Sequence, residues 1–127
     1  MRAISINQPY ATLIERGQKT LEVRSWRTKI RGSVLVCSTK LPYCNDLPRG
    51  QALCVVDIVN CRAFLPEDAY DARCDFVEGY FVWELKNVRK IQRFPVKGKQ
   101  GFFEVTTTVK ELCRQDGKAA RAPVRRV

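Results

Sequence analysis

The residues best placed to do chemistry lie between Gly17 and Trp26, in the segment GQKTLEVRSW. There Lys19, Glu22 and Arg24 follow one another with no other ionisable group between them. A strand through TLEVRSW would project Glu22 and Arg24 from one face, because side chains alternate along a strand. Lys19 marks the corner before it. On an open surface such a set is an ion pair worth about 0–1 kcal/mol and functionally silent. Two other segments favour a ligand instead. Gln8-Pro9-Tyr10 opens a helix, whose first turn offers unpaired N–H groups that suit an anion. VKGKQG, residues 96–101, sets Lys97 and Lys99 around Gly98, where backbone can approach a ligand closely. That segment is too short and wrongly spaced for a P-loop.

The charge balance points the same way. The net charge is +10, from 23 Lys and Arg against 13 Asp and Glu, with no His. The charge is segregated: residues 16–40 hold seven basic residues and one acid, and residues 86–100 hold six and none. Residues 41–85 hold three basic residues against eight acids. A folded molecule with a positive side attracts phosphate through counterion release. No amphipathic basic helix suggests a membrane surface, and no apolar stretch approaches a membrane span.

Six cysteines are present, yet no secretory segment opens the chain. Cys37 and Cys54 sit in the apolar runs VLVCS and ALCVV, where free Cys acts as a small hydrophobe. A Cys-x-x-Cys pair and His are both absent, which argues against a zinc knuckle. The expectation is a reduced, cytoplasmic protein with no metal and no cofactor.

These residues need elements to hold them. AISI, residues 3–6, reads as a first strand. Asn7 is a plausible N-cap for a helix with Pro9 in its first turn. That helix runs through YATLIERG, and Gly17 stops it. VLVCS reads as a strand buried on both faces. Residues 41–50, with two prolines, read as a loop. Residues 52–65 and 80–91 are further strands, with Pro66-Glu67-Asp68 able to start one helical turn between them. GFFEVTT closes the set with a last strand. About six strands separated by short turns, with one clear helix after the first, predict a mostly β (α+β) fold closed into a barrel that hides its edges. Residues 1–113 form the expected domain. The remainder, 114–127, is basic and poor in apolar groups, and is expected to be a flexible tail.

The segment from Ser5 to Lys40 resembles the opening of the ASCH family, whose Gly-x-Lys-x-x-Glu-x-Arg signature falls on Gly17, Lys19, Glu22 and Arg24. The stretch from Phe81 to Phe103 resembles the family's end, a Trp-bearing strand leading to Pro-x-x-Gly-x-Gln-Gly. The resemblance covers about residues 3–105. It implies a PUA-like barrel with a cleft beside the first helix, and RNA or a modified nucleoside as ligand. In that frame Lys19 and Arg24 would meet a phosphate or a base carbonyl. Glu22 would accept from a base N–H or position the two cations. Tyr10 and Trp26 would stack on a base, each worth about 1–3 kcal/mol; core packing is the alternative for Tyr10. Trp83 reads as core. Gln8, Pro9, Ser25, Ser38, Lys40, Lys97, Gly98 and Gln100 complete the expected cleft.

The resemblance also implies an alternative, an enzyme acting on RNA or on acylated cytidine, with Lys19 and Glu22 as catalytic groups. The amidohydrolase branch carries Thr where this chain has Glu22, and Thr20 would share the Glu22 face only if the strand begins that early. A ribonuclease without His would need a Lys/Glu or Tyr mechanism.

Overall fold

The computed structural model describes residues 1–113. The expected flexible tail, 114–127, lies outside the described residues. One sheet is built from β1 (Arg2–Ile6), β2 (Leu21–Arg24), β3 (Gly32–Ser38), β4 (Gln51–Ala63), β5 (Phe81–Pro95) and β6 (Phe102–Glu104). The strand order is β2-β5-β4-β3-β1-β6. β1 and β3 run parallel, and the other neighbours are antiparallel. Helix α1 (Tyr10–Glu15) follows β1, and a 3-10 turn (Pro66–Asp68) leads into α2 (Ala69–Ala72) between β4 and β5. A further helical segment starts at residue 109.

The sheet curls because its longest pair is repeatedly bulged. The β4–β5 register slips between Ala52 and Cys54, between Val55 and Asp57, and between Ile58 and Asn60. Each bulge bends its strand and increases the local twist. The two ends of the strand order are thereby brought face to face. Trp83 of β5 stacks on Phe102 of β6 with ring centroids 5.4 Å apart, although β4, β3 and β1 separate those strands in the sheet. The result is a curled half-barrel, closed by side chains where the hydrogen-bond ladder ends. This is the mostly β, PUA-like architecture expected.

Apolar residues line both faces of the curl. Ile4, Ile6, Val34, Val36, Val56, Ile58 and Trp83 fill the concave face, and α1 adds Ala11 and Ile14. Leu35, Cys37, Ala52, Val55 and Phe103 cover the other face, under Leu112. β3 is therefore buried on both faces, as its continuous apolar run predicts. Leu21 packs with Phe64, Ala72 and Val82 in a third cluster, leaving Glu22 and Arg24 on the opposite face. All six cysteines are unpaired. Burial pushes the thiols of Cys37 and Cys54 up to about 12. Among the described residues no helix is long and apolar enough to cross a membrane.

Three local expectations are corrected. α1 starts at Tyr10, too late for Asn7 to cap it; Asn7 Oδ1 instead accepts from Thr39 Oγ1 at 3.0 Å. Gln8 does the capping from within the fold: its Oε1 accepts from the Thr12 N–H at 2.9 Å. Its Nε2 donates to Thr12 Oγ1 at 2.8 Å and to the Pro48 carbonyl at 2.9 Å. The basic block 86–100 is also less available than its composition implies. Arg89 pairs with Asp57, and Arg93 pairs with Glu15 at 2.8 Å.

Candidate functional site

The C-terminus of α1 sets the site's geometry. Gly17 adopts φ 76°, a conformation that costs a residue with a Cβ but not glycine. Its N–H donates to the Ile14 carbonyl and that of Gln18 donates to Leu13, the paired bonds of a Schellman turn. The turn aims the chain into β2 and delivers Lys19 to the interior, where it is 3% exposed. Strand alternation then directs Glu22 and Arg24 to the same recess.

These three groups form a chain of charges. The Lys19 ammonium donates to the Ala72 carbonyl of α2. It lies 3.8 Å from Glu22 Oε1 and 5.1 Å from the centre of the Tyr10 ring. Arg24 Nε and Nη2 each lie 2.8 Å from Glu22 Oε2, and Nη2 also donates to the Ser5 carbonyl at 3.1 Å. The arginine thus occupies one carboxylate oxygen, and among the described residues the other keeps only the longer contact with Lys19. Burial holds the Lys19 ammonium pKa below its usual value, against the opposing pull of Glu22.

A cavity of about 470 Å³ opens on this set. Of the predicted residues, Tyr10, Lys19, Glu22, Arg24, Ser25 and Trp26 line it. Trp26 is 38% exposed and meets Trp83 edge-on at 4.9 Å. Trp83 is buried, as its reading as core predicts. A second recess, of about 490 Å³, is lined by the predicted Ser38, Lys40, Lys97, Gly98 and Gln100. Ser5 lines both. The expected single cleft is therefore two recesses sharing a wall.

Two predicted residues line neither recess. Gln8 is buried and engaged as the internal cap of α1. Pro9 forms the entry to that helix. Thr20 precedes β2 and is exposed outside the cavity. Several lining residues escaped sequence reasoning. Cys74 and Tyr80 reach the first recess from the segment between α2 and β5, and no local motif marks them. Ser5 sits beside predicted residues, but only the pairing of β1 with β3 places it between the recesses. Lys99 lines the second recess with Lys97, and the VKGKQG pattern had already drawn attention to both.

Residues 4–95 match the family model described as ASCH domain. The chain belongs to the ASCH family. This ASCH domain is 26% identical over 135 residues to activating signal cointegrator 1 of Homo sapiens and 26% identical over 130 residues to that of Mus musculus. Each match covers 84% of the chain but only 22% of the relative, so the chain spans about a fifth of those proteins. Among solved structures, the ASCH protein from Zymomonas mobilis superimposes with a TM-score of 0.66 at 12% identity, over 93% of each chain. A mutant of that protein gives a TM-score of 0.61 at 11% identity, over 94% of each chain. These likenesses establish the ASCH fold.

Proposed function

We propose that this ASCH domain binds RNA or a nucleotide-like ligand, holding a nucleobase in the recess formed by Tyr10, Lys19, Glu22, Arg24 and Trp26. The observation that carries the reading is the uneven loading of Glu22. One carboxylate oxygen is taken by Arg24, while the other lies 3.8 Å from the Lys19 ammonium at the cavity. An acceptor beside a cationic donor matches a base edge, where N–H and carbonyl or ring-nitrogen groups alternate. Tyr10 and Trp26 supply aromatic surface to the same cavity, as single-strand binders require. The volume of about 470 Å³ falls within the roughly 300–1,000 Å³ of small-ligand pockets.

The test is titration with single-stranded and structured RNA at two salt concentrations. Binding that weakens with salt is expected, and Lys19→Ala with Arg24→Ala should weaken it more than Arg125→Ala with Arg126→Ala. Absent or salt-insensitive binding would remove the reading.

One observation favours a second reading, an enzyme on RNA or on a modified nucleoside. Lys19 is a buried amine with a lowered pKa beside a carboxylate, the environment that tunes a lysine for proton transfer. Incubation with N4-acetylcytidine and with labelled RNA tests it. Turnover that survives Lys19→Ala would take Lys19 out of the chemistry.

A further inference from the structure

We propose that the second recess is a subsite for the phosphodiester backbone flanking the base held in the first, so that the ligand is a length of strand rather than a free nucleoside. The inference rests on the base-binding reading above and adds a site to it.

Its first support is that three lysines without ion pairs line one concavity, although other unpaired cations lie elsewhere on the described surface. Arg24, Arg62, Arg89 and Arg93 all pair with carboxylates. Lys40, Lys97 and Lys99 line the second recess, and among the described residues none of them forms an ion pair. Three lysines lining one concavity carry like charges that an anion among them would offset. Lysine is also the fitting residue type: a point charge that meets phosphate oxygens without requiring one orientation.

The second support is that the recess has a defined wall. A Cβ at Gly50 would meet Lys40 Cγ at 2.9 Å and Cε at 3.1 Å. The lysine stem thus lies across the glycine at the wall of the recess. A Cβ at Gly98 would meet Ser5 Oγ at 2.4 Å. The 96–101 segment therefore packs against the Ser5 side chain, and a larger residue at 98 would require the Ser5 hydroxyl to turn away.

The third support is continuity. Ser5 lines both recesses, and its buried Oγ has no hydrogen-bond partner among the described residues. Its carbonyl already holds Arg24. One residue thus touches the polar set of the first recess and the loop that carries Lys97 and Lys99 of the second. A base and its adjoining phosphates span such a pair of sites in one covalent unit, with phosphate contacts fixing position and the base slot fixing identity.

Calorimetric titration distinguishes the two claims. The four ribonucleosides and a mixed-sequence RNA hexamer are each titrated into the full chain, into a Lys40→Ala/Lys97→Ala/Lys99→Ala variant, and into a control Lys29→Ala/Lys86→Ala/Lys90→Ala variant of equal charge. The hexamer is expected to bind at least tenfold tighter than the best nucleoside. The recess variant should lose about tenfold for the hexamer and none for the nucleoside. Its salt slope should fall by about 2, from three phosphate contacts at roughly 0.7 each on a single strand. The control should retain most of the affinity and slope. Equal losses in both triple variants would reduce the recess to general charge and overturn the subsite. A hexamer that binds no tighter than a nucleoside would also overturn it, leaving the base pocket intact. Failure of every ligand to bind would overturn both.

Discussion

Arg24 and Ser5 belong to strands separated by three others in the sheet order, yet Arg24 Nη2 donates to the Ser5 carbonyl at 3.1 Å. The same guanidinium pairs with Glu22 and lies 5.7 Å from the Trp83 ring. One side chain therefore joins the edge strand β2 to β1 across the mouth of the half-barrel and neutralises a buried carboxylate. Arg24→Ala removes both connections and leaves Glu22, 6% exposed, with only its longer contact to Lys19 among the described residues. A loss of about 3 kcal/mol is expected, measured by urea denaturation followed by circular dichroism. Arg24→Lys should recover only part of it, because an ammonium lacks the planar fork that serves two acceptors at once.

Gly17→Ala tests the turn that delivers Lys19. At φ 76° the added methyl costs about 1–2 kcal/mol in backbone strain, although nothing lies within 4 Å to clash with it. Thermal denaturation should show that loss. Ligand affinity should fall as well, since the strained turn also sets the position of the Lys19 ammonium.

The acid side of the stability profile should carry the signature of Asp68. Hydrogen bonds from Arg62 hold its carboxyl below the ordinary value of 3.8. A carboxylate depressed in the folded state stabilises it fully above the unfolded pKa. That contribution disappears as pH falls through the lower, folded value. Stability should therefore begin to decline near pH 4 and continue downward. Asp68→Asn should flatten that decline and lower stability at neutral pH by on the order of 1 kcal/mol, the partial exposure of Arg62 limiting the effect. Urea midpoints from pH 7 to pH 2 provide the measurement.

The thiols offer a footprint of the first recess. With their thiols raised to about 12 by burial, Cys37 and Cys54 should stay silent to Ellman's reagent at pH 8 in the native state. Cys44, Cys61, Cys74 and Cys113 are partly accessible and should react, with all six reacting after denaturation. Cys74 lines the first recess and the other three do not. A bound base should slow Cys74 alone, which peptide mapping of the labelled protein can resolve.

How much of this was legible in the sequence follows from the range of each interaction. Lys19, Glu22 and Arg24 were readable because a helix stop and a period-two strand are local patterns, and both act within the eight residues from Gly17 to Arg24. The buried faces of β3 were readable from an unbroken apolar run. The division of the cleft was not, because it depends on β1 lying between β3 and β6. Arg89 and Arg93 looked available in composition, and only the curl brings Asp57 and Glu15 to them. Gln8 looked like a ligand-facing polar group, whereas a helix starting at Tyr10 turned it inward as a cap. Cys74 and Tyr80 arrive through α2, whose four residues carry no periodic signal.

The aromatic contact that closes the half-barrel has an optical consequence. Trp26 and Trp83 are the chain's two tryptophans, in edge contact with each other at 4.9 Å and with one of them lining the first recess. All indole fluorescence of the molecule thus originates at the seam beside that recess. Quenching or a wavelength shift on mixing would report occupancy directly, with no label attached to protein or ligand.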